Sequence, residues 1–167
     1  MSIPRVLVAV TLVKRSLSSR WASERWEPES IDVLGEAIAP DAAPTRRPTA
    51  DCGWRFAPYA VELHRSEAEG YHLNLVAPLP KAFVLLRPAE TEAGPPLVPL
   101  LVTVSYNEAA RMLDGGESVE AVPLPASLYE WMRPFVEENY KPEPRKKMKR
   151  NDPFAEGAFR RDPRTGH

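Results

Sequence analysis

The sequence predicts an α+β protein in which six or seven short strands form a curved antiparallel sheet or a small, partly open barrel, with helix covering one end or face. Three observations predict this class. Apolar and polar residues alternate over short segments, which is typical of half-buried strands. The 19 prolines are roughly twice the usual share of 5%, and they limit the length of any helix. The clearest helical spacing of apolar residues lies towards the C-terminus.

The N-terminal third predicts strands separated by a long loop. Arg5–Leu12 is rich in β-branched residues and predicts a central strand, and a second strand is expected near Glu29–Leu34. Gly35–Ala50 is rich in alanine and proline without a period, which predicts a flexible loop. A strand resumes at Trp54–Ala57. Because Pro58 follows it directly, we expect this strand to lie at an edge or to carry a bulge.

The clearest pattern runs over Pro58–Pro78 and predicts a β-hairpin. Apolar and polar residues alternate on both sides of a turn placed at Ser66–Gly70. Pairing the two strands about this turn gives one apolar face and one polar face, with His64 directly opposite His72. The polar face carries Glu62, His64, His72 and Asn74.

Three further strands are expected after the hairpin. Lys81–Arg87 and Leu97–Ser105 are apolar segments separated by a loop that contains several prolines. Ser118–Val122 is shorter and lies between the two predicted helices. With the earlier segments, these complete the predicted set of strands.

Two helices are expected towards the C-terminus. Ser105 and Glu108 have the S-x-x-E spacing of a capping box, and the glycines that follow Asp114 end this short helix. Pro125 opens the second, covering helix. Pro134 is expected to kink or fray it, because proline removes one backbone hydrogen bond. The inner face of this helix carries Leu128, Trp131, Met132, Phe135 and Val136.

The chain is expected to divide into one β-rich domain, residues 1–140, and a disordered tail, residues 141–167. The tail is charged, contains proline and shows no periodicity. Residues 1–140 carry 13 basic and 19 acidic groups, whereas residues 141–150 carry six basic groups and one acid. The two regions therefore have opposite charge. The basic cluster and the two phenylalanines behind it are Arg145, Lys146, Lys147, Lys149, Arg150, Phe154 and Phe159.

Several classes of protein are disfavoured by the residues present. Cys52 is the only cysteine, which excludes a disulfide within the chain and a cluster of thiolate ligands. The sequence has neither the nucleophile motif G-x-S-x-G nor a glycine-rich phosphate loop before a helix. The apolar segment Val6–Val13 is too short to span a bilayer. We therefore expect a cytoplasmic protein without a cofactor, and a non-enzymatic role is favoured.

A metal site is one alternative function. On the predicted hairpin, the imidazoles of His64 and His72 lie close enough to share a divalent metal, with the carboxylate of Glu62 beside them. The sequence offers no fixed third protein ligand in a known spacing, such as H-E-x-x-H. A polar sheet face exposed to solvent is the competing interpretation of these residues.

The tail supports a binding function. A basic run can attract nucleic acid, anionic lipid or an acidic protein face. Phenylalanines in a polar, disordered segment have no core to join, and this is typical of segments that fold when they bind a protein. Nucleic acid remains an alternative partner, but the acidic body would repel its phosphates. A partner protein is therefore the leading expectation, and the oligomeric state is left open.

Short segments along nearly the whole chain also carry a family resemblance. They are Arg5-Val6 with the apolar strand after it, Arg20-Trp21, Arg25-Trp26-Glu27-Pro28, Glu62-Leu63-His64-Arg65, Glu67, Glu69-Gly70-Tyr71, Leu73-Asn74-Leu75, Thr103-Val104-Ser105-Tyr106-Asn107-Glu108-Ala109, Val122-Pro123, Pro125 and the basic cluster with its Asp-Pro-Phe. Together they resemble a bacterial family of unknown function, whose genes tend to lie beside those of formate dehydrogenase and other molybdenum enzymes. The resemblance implies an accessory role in the maturation or assembly of such an enzyme.

Overall fold

The computed structural model describes residues 2–16, 24–35, 39 and 41–142. Within these residues the chain forms seven strands and three helices, one of them following a single 3₁₀ turn at Arg65–Glu67. The elements are β1 (Arg5–Ser16), β2 (Glu24–Val33), β3 (Thr45–Pro48), β4 (Trp54–Glu62), α1 (Ala68–Leu75), β5 (Lys81–Pro88), β6 (Leu97–Thr103), α2 (Tyr106–Asp114), β7 (Ser118–Pro123) and α3 (Ala126–Asn139).

The strands form two antiparallel sheets. The first has the order β2-β1-β4-β3 and the second the order β6-β5-β7. Strand β2 contacts β7 and strand β4 contacts β6, so the two sheets face each other without joining into one hydrogen-bonded barrel within the described residues. The predicted α+β class is confirmed, and the open form of the sheet is the one observed.

One apolar core lies between the two sheets and under the helices. Val10 of β1, Val84 of β5 and Leu128 of α3 are each fully buried and belong to the same cluster. The apolar stripe predicted for α3 faces this cluster: Met132 is fully buried, and Phe135 packs against the cluster from a partly buried position. Burial of such side chains stabilises the fold by roughly 1.5–3 kcal/mol each.

Prolines within the strands coincide with β-bulges. The strands that contain Pro28, Pro58 and Pro99 each show a shift of register next to the proline. At each shift, the strand with the proline has one residue more than the strand it pairs with. A bulge leaves one residue outside the ladder, so a residue without an N–H group is tolerated there. The bulge predicted for the strand with Pro58 is confirmed. That strand, β4, is internal, because it pairs with β1 on one side and with β3 on the other.

The predicted hairpin is wrong in its second half. The segment expected to form the turn, Ser66–Gly70, contains the end of the 3₁₀ turn and the first residues of α1, and the segment expected to form the second strand is the rest of α1. Its buried residues include Ala68, Tyr71 and Leu75, at the spacing i, i+3, i+7 of a helix that packs on a core. The five residues Tyr71–Leu75 are too few for the sequence pattern to distinguish the period of a helix from that of a strand. Asn74, predicted on the polar face, is instead buried with 1% of its surface exposed.

Other boundaries differ because pairing extends the strands. Strand β1 continues past Lys14 to Ser16, and Lys14 forms a cross-strand ion pair with Glu24 at 2.7 Å. The predicted loop Gly35–Ala50 contains strand β3. There the Arg46 guanidinium lies over the Trp54 ring, 5.6 Å from its centroid, which is a stabilising cation–π contact.

The C-terminal elements were predicted well. Strands β5, β6 and β7 and helix α2 are confirmed, with the Ser105 side chain accepting the capping hydrogen bond from the Glu108 N–H. Helix α3 follows Pro125 as predicted and continues through Pro134 to Asn139. Apart from Lys141 and Pro142, the predicted tail lies outside the described residues. No helix in the described ranges is long and apolar enough to cross a membrane.

Candidate interaction surface

Helix α1 is fixed to the end of β4 by the Tyr71 hydroxyl. This group accepts a hydrogen bond from the His64 N–H at 2.9 Å and donates one to the Glu62 carbonyl at 3.2 Å. The Tyr71 ring has 1% of its surface exposed and meets the Phe135 ring of α3 edge to face. Burial disfavours the phenolate and raises the pKa of Tyr71 to about 12. One side chain therefore joins α1 to the sheet and to α3.

Asn74 fixes the C-terminal end of the same helix. Its side-chain amide donates to the carbonyls of Lys81 at 2.7 Å and Val104 at 2.9 Å, and its carbonyl oxygen accepts from the Lys81 N–H at 2.9 Å. The amide thereby connects α1 to the first residue of β5 and to the end of β6. Each bond satisfies a backbone group that would otherwise be unpaired, so the turn after α1 is held in one position.

Helix α1 also packs closely on the N-terminus of α2. A Cβ atom on Gly70 would lie 2.2 Å from the Ser105 Oγ, so only glycine fits there without a shift. The Ser105 hydroxyl donates to the Glu67 carboxylate at 2.5 Å, and Glu67 also pairs with Arg111 of α2. Two segments that are 30 or more residues apart in sequence thus form one rigid junction.

This packing leaves three apolar side chains in solvent on the outer side of α1 and the turn after it. Leu73, Val76 and Leu79 are 39%, 62% and 71% exposed, and the last two values are the highest among the large hydrophobic residues of the described chain. Leu73 of α1 and its C-cap Val76 are three residues apart, so their side chains share one face of the helix, and Leu79 lies in the turn that follows. We call these three residues the apolar ridge. Apolar residues exposed singly are common, whereas a contiguous exposed apolar patch is typical of interaction sites.

The start of the tail lies against α1. The Tyr140 ring, which follows α3, stacks on the His72 ring of α1 with centroids 4.0 Å apart and planes 16° apart. Lys141 and Pro142 line an open pocket of about 650 Å³ together with Glu69 of α1. The chain therefore leaves the described residues beside the helix that carries the apolar ridge.

The predicted metal ligands are separated. His64 Nε2 lies 3.3 Å from Glu62 Oε2, whereas His72 stacks on Tyr140. The opposed pair of imidazoles on which the metal prediction rested is absent because His72 belongs to a helix. Among the residues that the structure describes, no three His, Cys, Asp or Glu side chains group in a way that could hold a metal ion.

Glu62 and His64 do share a small pocket. It has a volume of about 210 Å³ and lies between β4 and β6, with Thr103 and Glu108 also in its wall. Arg5 pairs with Glu62 at 2.9 Å and offsets its charge. An imidazole beside a carboxylate can transfer protons, but the pocket contains no activated nucleophile or group of oxyanion donors.

The predicted partner-binding residues lie outside the described residues. They are Arg145, Lys146, Lys147, Lys149, Arg150, Phe154 and Phe159. The sequence did not reveal the apolar ridge, for two reasons. Its pattern placed Leu73 on the apolar face of a predicted strand, and the segment that carries Val76 and Leu79 was treated as a simple connection between strands. Two signals for a helix were present: Ser66 and Glu69 have S-x-x-E spacing, and Ala68, Tyr71 and Leu75 have helical spacing.

Comparison with protein families gave one match. The family described as "Protein of unknown function (DUF3305)" matches residues 7–149, which include every strand and helix of the structure except the first two residues of β1. A search of curated proteins and a search of solved structures found no significant match.

Proposed function

The chain belongs to the DUF3305 family of proteins of unknown function, and we propose that it is a non-enzymatic accessory protein that binds a partner protein. The apolar ridge, Leu73, Val76 and Leu79, forms the contact on the folded body. The basic cluster of the tail, residues 145–150, forms a second contact. No catalytic constellation competes with this proposal in the described pockets.

The observation that carries the proposal is the exposure of the ridge on a fixed backbone. Leu79 is 71% exposed, although Asn74 and Tyr71 hold the helix before it through buried hydrogen bonds. A protein that only needed to fold gains nothing from apolar side chains in solvent. A partner gains from them, because side chains on a rigid backbone lose little conformational entropy on binding.

The charges indicate the chemistry of the partner. The ridge requires an apolar pocket, and the six basic residues of 141–150 favour an acidic rim around or beside it. Pro142 shares a pocket with Ala68 and Glu69 at the N-terminal end of α1, and the basic cluster begins three residues later in the sequence. Phe154 and Phe159 then provide two further apolar contacts as the tail extends along the partner.

The proposed setting is the maturation or assembly of formate dehydrogenase or another molybdenum enzyme in the cytoplasm. This part rests on the resemblance described for the sequence and on the association of the family's genes with those of such enzymes. The geometry supports only the partner-binding role, and the setting supplies the candidate partners for the test.

A matched pair of variants tests the role of the ridge. Two variants of the tagged full-length chain are expressed in the native host. The ridge variant carries Val76→Ser and Leu79→Ser. The control variant carries Leu100→Ser and Leu113→Ser, which change two other apolar residues with exposed fractions of 46% and 54%. Co-purified proteins are measured by quantitative mass spectrometry. Loss of apolar burial at two contact residues is expected to lower recovery of a molybdenum-enzyme subunit or its maturation protein at least tenfold in the ridge variant only.

Equal recovery of that protein by both variants would show that the ridge is not its binding site. A double variant, Lys146→Glu with Lys147→Glu, tests the role of the basic cluster separately from that of the ridge. This change is expected to lower recovery most at low ionic strength, since salt already screens the attraction in wild type.

A further inference from the structure

A second group of charged side chains lies on the outer face of the four-stranded sheet. In the β3–β4 ladder Arg47 is the direct partner of Arg55, and Thr45 is the partner of Ala57. Residues two apart on a strand share a face, so all four side chains lie on one face. This face carries a shallow pocket of about 230 Å³. Its lining residues are Leu34, Thr45, Arg47, Arg55 and Ala57.

The face is the outer one because the alternate residues are in the core. Phe56 lies between Arg55 and Ala57 in β4 and has 4% of its surface exposed. Ile31, next to Asp32 on β2, likewise has 4% exposed. Asp32 therefore points outward too, and its carboxylate lies 3.3 Å from the Arg55 guanidinium.

Two guanidiniums directly opposite each other are unfavourable on a sheet. Here one carboxylate, that of Asp32, pairs with Arg55, and no ion pair of Arg47 is found within the described residues. A second anion at the pocket would complete the charge balance. Arginine favours this role because its planar group donates two parallel hydrogen bonds to a carboxylate or phosphate.

Most of the other arginines in the described residues already have partners. Ten lie within the described residues: seven pair with carboxylates, and Arg46 lies over the Trp54 ring. In that part of the chain, Arg47 and Arg65 have neither kind of contact. Only Arg47 of these two also stands opposite a second arginine in a pocket.

We propose that Arg47, Arg55 and Thr45 form a binding site for a small oxyanion, the carboxylate or phosphate group of a ligand. The two guanidiniums hold its oxygens, and the Thr45 hydroxyl offers a further donor at the rim of the pocket. Asp32 keeps Arg55 in place, and the three charged side chains together leave one net positive charge for the ligand. This site is separate from the apolar ridge and does not depend on it.

The test is a titration of the full-length chain with inorganic phosphate in one arm and acetate in the other, with chloride holding the ionic strength constant. Nuclear magnetic resonance of the arginine Nε–H groups reports each guanidinium. We expect saturable shifts at Arg47 and Arg55 with a dissociation constant on the order of 1 mM, which is ordinary for a small, open site. Arg47→Gln is expected to weaken binding at least tenfold, since it removes a charged bidentate donor.

Arg87→Gln is the matched control, because it removes the same charge from a surface pair with Glu117 and should leave binding unchanged. Saturation by phosphate only, by acetate only or by both supports the site and identifies which group it accepts. Shifts that do not saturate, that are equal at Arg87, or that persist in Arg47→Gln would overturn the proposal, since they report general screening.

Discussion

At the scale of single residues, the hydrogen bonds of Asn74 fix the position of the turn that carries part of the apolar ridge. Its amide is buried and makes three hydrogen bonds to backbone groups of Lys81 and Val104. A side chain that replaced it without polar atoms would leave these groups without partners inside the protein, where water cannot substitute. The position of the turn therefore depends on one polar residue in an apolar setting.

Asn74→Ala is expected to lower the free energy of unfolding by roughly 3 kcal/mol, because it removes three hydrogen bonds and leaves their backbone partners buried. Urea unfolding followed by circular dichroism measures this. The control is Asn139→Ala, which removes one hydrogen bond to the Phe135 carbonyl within α3 and is expected to cost about 1 kcal/mol or less. Similar losses in both variants would contradict the role assigned to Asn74.

At the scale of the elements, the sequence was informative where a strand or helix is specified by its own residues. The capping box of Ser105 and Glu108 and the proline before α3 located both C-terminal helices. Segments whose conformation depends on distant partners were missed. Helix α1 has eight residues and is held by contacts to β4, β5 and α2, and β3 is held by pairing with β4.

The same limit applies to the candidate site. The sequence placed Glu62 and His64 near each other, as the structure does, but it joined His72 to them by assuming a strand. It identified Ser105 as a helix cap, but it placed Gly70 in a turn and Asn74 on a polar strand face. The close approach of Gly70 to Ser105 and the buried hydrogen bonds of Asn74 appear only once α1 is packed against its neighbours.

The link between α1 and β4 predicts a pH dependence. The pKa of Tyr71 is raised from 10.0 to about 12 in the fold by burial, so the folded state holds its proton more tightly than the unfolded state. The resulting stabilisation is fully present below pH 10 and is lost as pH rises from 10 to about 12. The Tyr71→Phe variant is expected to be less stable than wild type at neutral pH. Its free energy of unfolding is expected to fall less than that of wild type between pH 10 and about 12.

Unfolding in urea at a series of pH values from 8 to 12 measures this difference. The control is Tyr106→Phe, which removes the hydroxyl of a tyrosine that is 52% exposed. Because Tyr71 is unchanged in this variant, its stability should fall with pH as much as that of wild type. An identical pH dependence in wild type and Tyr71→Phe would show that the buried hydroxyl does not couple folding to its proton.

At the scale of the whole molecule, the residues that bury the core are distinct from those of the proposed contact surface. The two sheets, α3 and the inner side of α1 bury the core, whereas Leu73 of α1 and the following Val76 and Leu79 are exposed. The chain then continues from Pro142 beside α1 into a segment with six basic residues between 141 and 150. An acidic body with a basic, phenylalanine-containing tail favours a protein partner over nucleic acid, since the body repels phosphates.

The most direct test of this account is photo-crosslinking of the full-length chain in its native host. A photoreactive amino acid is placed at Val76 in one strain and at Leu113, an exposed residue near the C-terminal end of α2, in another. The account predicts that position 76 crosslinks to one molybdenum-enzyme subunit or maturation protein and that position 113 does not. No such product from position 76, or the same products from both positions, would contradict it.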